Sequence, residues 1–377
     1  MLERYARDLA SLAAHGRLRA LAPRVGLDFA SNDYLALAES PELAAAVSAA
    51  LARGVPVGAG GSRLLRGNHP EHEALEEEAA RFFGAESALY FSAGFTANEA
   101  LLSTAPQRED FILCDALVHA SAHEGMRLAR AQNAKFPHND VSAADEAIRA
   151  WREKGGRGKA WIVVESLYSM DGDKAPLDDL FALATENDAF LLIDEAHATG
   201  IYGPGGRGLA ASFEGNDNVI TLHTCGKAMG VAGGLLCLPR VLRDFMINRC
   251  RPFIFATAPS PIIAACVRAA LKIIEAADDR RAELMSRIDF AGAELRRLCA
   301  LESSGTQIQP IIVGSDVRAT TLASRMQAHG YDIRAIRPPT VPDGSARLRI
   351  ALTLNTSKED VARMIGHLGE ELARLES

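Results

Sequence analysis

The stretch AFLLIDEAHATGIYGPGGRGLAASFEGNDNVITLHTCGK, Ala189 to Lys227, holds two apolar, β-rich runs that each break off into chemically reactive side chains. AFLLID ends on Asp194, with Glu195 and His197 close behind, and NVITLHT runs into Cys225, Gly226 and Lys227. Short, nearly continuous apolar runs are the mark of strands buried on both faces of a sheet. The same pattern recurs in SALYFS (Ser87 to Ser92), FILCD (Phe111 to Asp115) and AWIVVES (Ala160 to Ser166), with helical stretches between them. Strands alternating with helices predict an α/β fold on a large, mostly parallel mixed sheet.

Outward from this centre, DFASNDYLAL (Asp28 to Leu37) reads as a short strand and turn, and Pro41 to Arg53 as an alanine-rich helix. Glycine-dense GVPVGAGGSRLLRG then precedes a helix beginning near His72. A helical region from about Ser260 to Leu298 leads into QIQPIIVG, YDIRAIRPP and ARLRIAL, which with two more helices predict a smaller α+β domain. A chain of 377 residues exceeds the size at which one core stops growing. The expected division is an N-terminal helix and extended segment over 1–40, a large α/β domain over 41–275 and a small C-terminal α+β domain over 276–377.

A hydrophobic fraction of 48% and a charged fraction of 24% are ordinary for a globular protein. A net charge of -7 gives no overall attraction to nucleic acid or anionic lipid, so neither is an expected partner. Six scattered cysteines form no C-x-x-C pair, which disfavours disulfides and structural zinc. The first twenty residues mix charges into a helical period and lack a secretory signal's apolar stretch, and no apolar run approaches the ~20 residues that span a bilayer. A cytoplasmic protein is expected.

Ligands of open parallel sheets bind beyond the carboxyl ends of the strands, so residues following each apolar run are the candidates for chemistry. After SALYFS, Gly94 and Phe95 open a helix whose free N–H groups suit a phosphate, although many strand-to-helix turns use glycine for conformation alone. Asp194, at the mouth of an apolar strand, needs a cation or a helix start. A protonated pyridine nitrogen and a structural partner both answer that need. Only seven of the 41 basic residues are lysines, and of these Lys227 alone sits in a strand-to-glycine turn with apolar neighbours and the hydroxyl of Thr224. A partly desolvated amine of this kind reaches the deprotonated form that imine chemistry requires. GPGGRG (Gly203 to Gly208) matches a dinucleotide fingerprint formally, but it does not open directly from a strand. His119 with His123, and His69 with His72, lack a third ligand, so no metal is predicted.

Taken together, SNDYLAL, GAGGSRLLRG, SAGFTAN, HAS, FPHND, ESLYSMDGD, LLIDEAHATG, TLHTCGKAMG and AIRPPTVPDGSARLRIALT resemble the α-oxoamine synthases, a family of fold-type-I pyridoxal-phosphate (PLP) enzymes, over essentially the whole chain. The last motif is most similar to the branch that joins L-alanine to a pimeloyl thioester, carried on acyl carrier protein or coenzyme A, in biotin synthesis. The glycine-using branches are the alternative. The resemblance implies that Lys227 binds the PLP aldehyde and later moves the Cα proton, while Asp194 pairs with the pyridine nitrogen. His197 and Ser169 would lie at the ring hydroxyl oxygen, and His119 against the ring face. Gly94, Phe95 and Thr224 would hold the phosphate, with Thr257 from a second subunit of a homodimer. Arg349 and Asn32 would receive the amino-acid carboxylate, with Arg19 and Thr340 as further substrate contacts. Many relatives carry serine or leucine where this chain has His223, Thr224 and Cys225, a departure that bears on individual phosphate contacts and not on the lysine.

Overall fold

The structure, a computed structural model, describes residues 1–376. Its strands in chain order are β1 (Leu27–Asp28), β2 (Ser87–Phe91), β3 (Phe111–Asp115), β4 (Gln132–Phe136), β5 (Ala160–Glu165) and β6 (Phe190–Asp194), then β7 (Val219–Thr224), β8 (Gly234–Leu238), β9 (Ile308–Gly314), β10 (Tyr331–Asp332), β11 (Ala335–Ile336) and β12 (Ala346–Ala351). Two compact units form, one from Leu35–Ser169 with Lys174–Arg281, the other from Met1–Tyr34, Met170–Asp173 and the residues from Ala282 onward.

The larger unit is built on a seven-stranded sheet of order β2-β8-β7-β6-β5-β3-β4. Strand β8 runs antiparallel to both its neighbours, and every other pairing is parallel. Successive side chains take opposite faces. Ile112, Cys114 and Val163 join one core cluster with Leu101, while Phe111, Leu113 and Ile162 join the other with Ile148. Each large apolar side chain buried this way contributes about 1.5–3 kcal/mol, which is why the strands read as continuous apolar runs. Two strands lie outside the runs picked from sequence. QNAKF is an exposed, polar edge strand, and GLLCL follows directly on the glycines of the lysine loop.

Three adjacent parallel strands end on carboxylates: β3 on Asp115, β5 on Glu165 and β6 on Asp194, with Glu165 and Asp194 side by side in register. Within β7, His223 stacks on Phe83 with ring centroids 3.5 Å apart and bonds Thr199, Thr221 and Glu214. The GPGGRG segment forms a tight turn in which Gly203, Gly205, Gly206 and Gly208 all have positive φ. It closes around Glu195, whose buried carboxyl accepts from Leu209 N at 2.9 Å and Ala210 N at 2.7 Å, and turn residues rather than a helix follow it. Its glycines serve backbone geometry, not a strand-to-helix phosphate cradle.

In the smaller unit β1 pairs in parallel with β10, and β11-β12-β9 form an antiparallel sheet. Phe29 ties the N-terminal segment to both, through Phe29 N to Asp332 O at 3.2 Å and Ala351 N to Phe29 O at 2.9 Å. The helix Glu3–Ala14 buries no residue. The helical region expected from Ser260 to Leu298 is two helices, Pro261–Glu275 and Asp278–Cys299, and the boundary between units falls within the second. No helix among the described residues is long and apolar enough to cross a membrane.

His72, fully buried in the first turn of the helix Pro70–Phe83, accepts from His69 N at 3.3 Å and therefore donates from Nε2 to Pro259 O at 2.7 Å. Burial pushes its pKa from 6.5 down to about 4. The unfolded chain takes up this proton first, so stability is complete above about pH 6.5 and is lost as pH falls towards 4. Denaturant midpoints measured across that window are expected to fall more steeply for the wild type than for His72→Gln.

Candidate active site

Lys227 stands in a loop shaped almost wholly by backbone bonds: Cys225 N to Gly233 O at 2.9 Å, Val231 N to Cys225 O at 2.9 Å and Gly230 N to Lys227 O at 2.8 Å. Gly230 has φ 67°, and a Cβ there would lie 2.5 Å from Ala38 N, so only glycine closes the loop. The Lys227 amine lies 2.8 Å from His197 Nε2. His197 itself follows β6 by three residues and is buried.

Asp194 is held as a buried carboxylate by two donors, Asn98 Nδ2 on Oδ2 at 2.7 Å and Ala196 N on Oδ1 at 2.9 Å. Asn98 also donates to Ser121 Oγ at 3.1 Å, which leaves the single Ser121 proton for His119 Nδ1 at 2.8 Å. Ser121 N points at the same nitrogen, 3.2 Å away. His119 Nδ1 is therefore an acceptor and its ring proton sits on Nε2. Burial holds the His119 pKa below its ordinary value; the Asp194 charge opposes this and that of Lys227 adds to it. The chain His119, Ser121, Asn98, Asp194 thus couples an uncharged imidazole to a buried carboxyl group.

Gly94 starts the helix Gly94–Thr104, which has no side-chain cap. A Cβ at Gly94 would lie 3.1 Å from Thr224 Oγ1, so its absence lets the helix N-terminus and the end of β7 approach closely. Phe95 meets the His119 ring edge to face at 6.2 Å. Ser169 is buried, and its N–H donates to Glu165 Oε2 at 3.1 Å. Thr257 lies on an exposed segment tied by Ala258 N to Gly61 O at 2.8 Å, and no bond joins it to this cluster.

The smaller unit pairs the remaining candidates with one another. Arg349 Nη2 donates to Tyr34 Oη at 3.2 Å, and Tyr34 donates to Asn32 Oδ1 at 2.9 Å. Arg19 Nη2 donates to Thr340 Oγ1 at 3.3 Å. Asn98, Ser121, Tyr34 and Glu165 were not singled out from the sequence. For Asn98 the signal was present, since SAGFTAN places it one helical turn after Gly94.

The profile of the aminotransferase class I and II family matches residues 24–368. A curated 8-amino-7-oxononanoate synthase of Azoarcus sp. (strain BH72) is 40% identical over 395 residues, covering 100% of this chain and 98% of that protein. The chain belongs to the 8-amino-7-oxononanoate synthase family. The crystal structure of that synthase from Francisella tularensis superposes with a TM-score of 0.79 at 27% identity, covering 93% of this chain and 99% of that one. Serine palmitoyltransferase from S. paucimobilis, solved with bound PLP–myriocin, has the same fold at a TM-score of 0.90 and 23% identity, covering 100% of this chain and 98% of that one.

The residues present fit PLP. A lysine amine suits its aldehyde, the buried Asp194 a protonated pyridine, the neutral His119 a ring face, and the uncapped helix start beside Thr224 a phosphate.

Asn98→Ala removes one bond to an ionised acceptor and is expected to cost about 1.5–3 kcal/mol. Denaturant unfolding of the apo-protein measures it; a loss below a few tenths would show that Asn98 does not hold Asp194.

Proposed function

We propose that this chain condenses L-alanine with a pimeloyl thioester to give 8-amino-7-oxononanoate, carbon dioxide and free thiol. The reading is supported chiefly by the Lys227 amine, 2.8 Å from His197, and the buried Asp194 held by Asn98, in a member of this family. One carbon–carbon bond forms between the alanine Cα and the thioester carbonyl. The carbon–sulfur bond and the bond from Cα to its carboxyl group break.

When bound, PLP supplies an aldehyde that engages amines and a ring that takes up the electron pair left on Cα. The chain's residues do the rest. Lys227 moves the Cα proton, with His197 orienting its amine. Asp194 stabilises a positive charge opposite it, an interaction that strengthens as negative charge develops in the transition state. His119 offers a flat neutral face, and the Gly94 and Phe95 N–H groups with Thr224 anchor a phosphate, joined by Thr257 of a second subunit. Ser169 supports His197 at the ring oxygen. Arg349 with Asn32 takes the alanine carboxylate, whose planar geometry matches a guanidinium fork, and Arg19 and Thr340 contact substrate. A cytoplasmic homodimer is part of the same reading.

Lys227→Ala is expected to lower turnover at least ~10³-fold, and Asp194→Asn by about 10²–10³-fold, both read as thiol release. A Lys227 variant with wild-type thiol release removes the mechanism. L-alanine, and not glycine or L-serine, is expected to perturb the cofactor absorbance; a response to glycine alone would assign the chain to a glycine-using reaction instead.

A further inference from the structure

Three side chains of the smaller unit lie on one line of hydrogen bonds whose direction is fixed by their chemistry. Arg349 Nη2 donates to Tyr34 Oη at 3.2 Å, and Tyr34 Oη donates to Asn32 Oδ1 at 2.9 Å. A guanidinium has N–H groups and no acceptor, so the tyrosine receives from Arg349 and gives its own proton to Asn32. An amide that accepts at Oδ1 carries both its N–H groups on the other end, and no group among the described residues bonds Asn32 Nδ2. Both ends of the line are therefore N–H donors.

The three residues differ in what else holds them. Asn32 is half-buried in the segment after β1, whose backbone is set without its side chain: Asp28 Oδ1 accepts from Ala30 N at 3.1 Å and Ser31 N at 2.8 Å, and Ser31 Oγ accepts from Asp33 N at 3.3 Å. Those bonds fix the main chain and leave the rotation of the amide open. The two ends of an amide occupy almost the same space, so the hydrogen-bond partner decides which end turns away from it. Tyr34 is fully buried and anchored by Leu354 N on its carbonyl at 3.0 Å, while Arg349 stands on β12, the middle strand of the antiparallel sheet. With the amide reversed, an oxygen lone pair would meet an anion approaching Arg349. In the orientation that Tyr34 imposes, Nδ2 meets it with a donor.

We propose that Tyr34 is a positioning residue for the amino-acid substrate: its hydroxyl holds the Asn32 amide with Nδ2 turned away and steadies the Arg349 guanidinium, so that the two present N–H groups together to one carboxylate. Tyr34 acts through these two neighbours and on the carboxylate end of the amino acid alone, leaving the affinity for the acyl thioester as it is. The inference rests on the reading of Arg349 and Asn32 as the carboxylate-binding pair.

Tyr34→Phe deletes the hydroxyl and keeps the ring. Titration of the PLP-loaded enzyme with L-alanine, read from the cofactor absorbance, is expected to show about tenfold weaker binding in Tyr34→Phe, the loss of one charge-assisted hydrogen bond. L-Alaninamide, which lacks the carboxylate, is expected to bind both proteins within about twofold of each other. In turnover, KM for L-alanine should rise about tenfold while kcat and KM for the thioester stay within about twofold, the pattern of lost binding rather than lost chemistry. Equal L-alanine affinity in the two proteins would overturn the proposal, and so would an equal loss for L-alanine and L-alaninamide, which a general loosening of the fold produces. If Tyr34→Phe does not fold, Asn32→Ala at its half-buried position decides. It should weaken L-alanine about tenfold and leave L-alaninamide unchanged; wild-type L-alanine affinity there overturns the proposal. Arg349→Ala separates the two readings. Wild-type L-alanine affinity in that variant removes the carboxylate assignment and this inference together, whereas weakened L-alanine in Arg349→Ala with none in Tyr34→Phe removes only this inference.

Discussion

Carboxyl groups gathered at the rim where parallel strands stop impose the constraint from which the rest of the larger unit follows. An ionised carboxylate out of water costs several kcal/mol unless donors replace its hydration. The fold meets that demand with groups from elsewhere in the chain, Asn98 for Asp194 and His138 with Asn139 N for Asp115. Both groups are thereby held in place before any ligand arrives. Chemistry and stability share the same hydrogen bonds here.

The topology explains why these groups converge. Parallel strands joined by helices all deliver their C-terminal ends to one edge, so the residues after β5, β6 and β7 become neighbours although tens of residues separate them. Helix N-termini face the same edge, which brings Gly94 and His119 to it. The smaller unit contributes a separate polar chain, Arg349 to Tyr34 to Asn32, on an antiparallel sheet.

Much of this was legible in the sequence for a physical reason. Strands buried on both faces lose polar alternation, so β3, β5, β6 and β7 stood out as apolar runs, and the reactive residues after them were visible by contrast. The edge strand β4, with its polar side chains, offers no such contrast. Partners distant along the chain were equally hidden. Asn98 lies 96 residues from Asp194, and Tyr34 lies 315 from Arg349; neither spacing has a local signature. The helix expected from Ser260 to Leu298 breaks at Ala276 and Ala277, where no glycine or proline announces the stop. GPGGRG carries a nucleotide-like spacing, and only its positive φ values and the buried Glu195 beneath it show what its glycines are for.

The lysine loop carries one further consequence. Its three closing bonds run from main chain to main chain, so the path that delivers the amine is drawn by the backbone. Two glycines hold that path open, since φ is positive at Gly230 and Gly233 and a Cβ would lie 2.5 Å from Ala38 N at the first and 2.4 Å from the Tyr90 ring at the second. With Cys225 and Ala228 packed in the interior, the half-buried Val231 is where this loop can drift over evolutionary time while the nucleophile stays where it is.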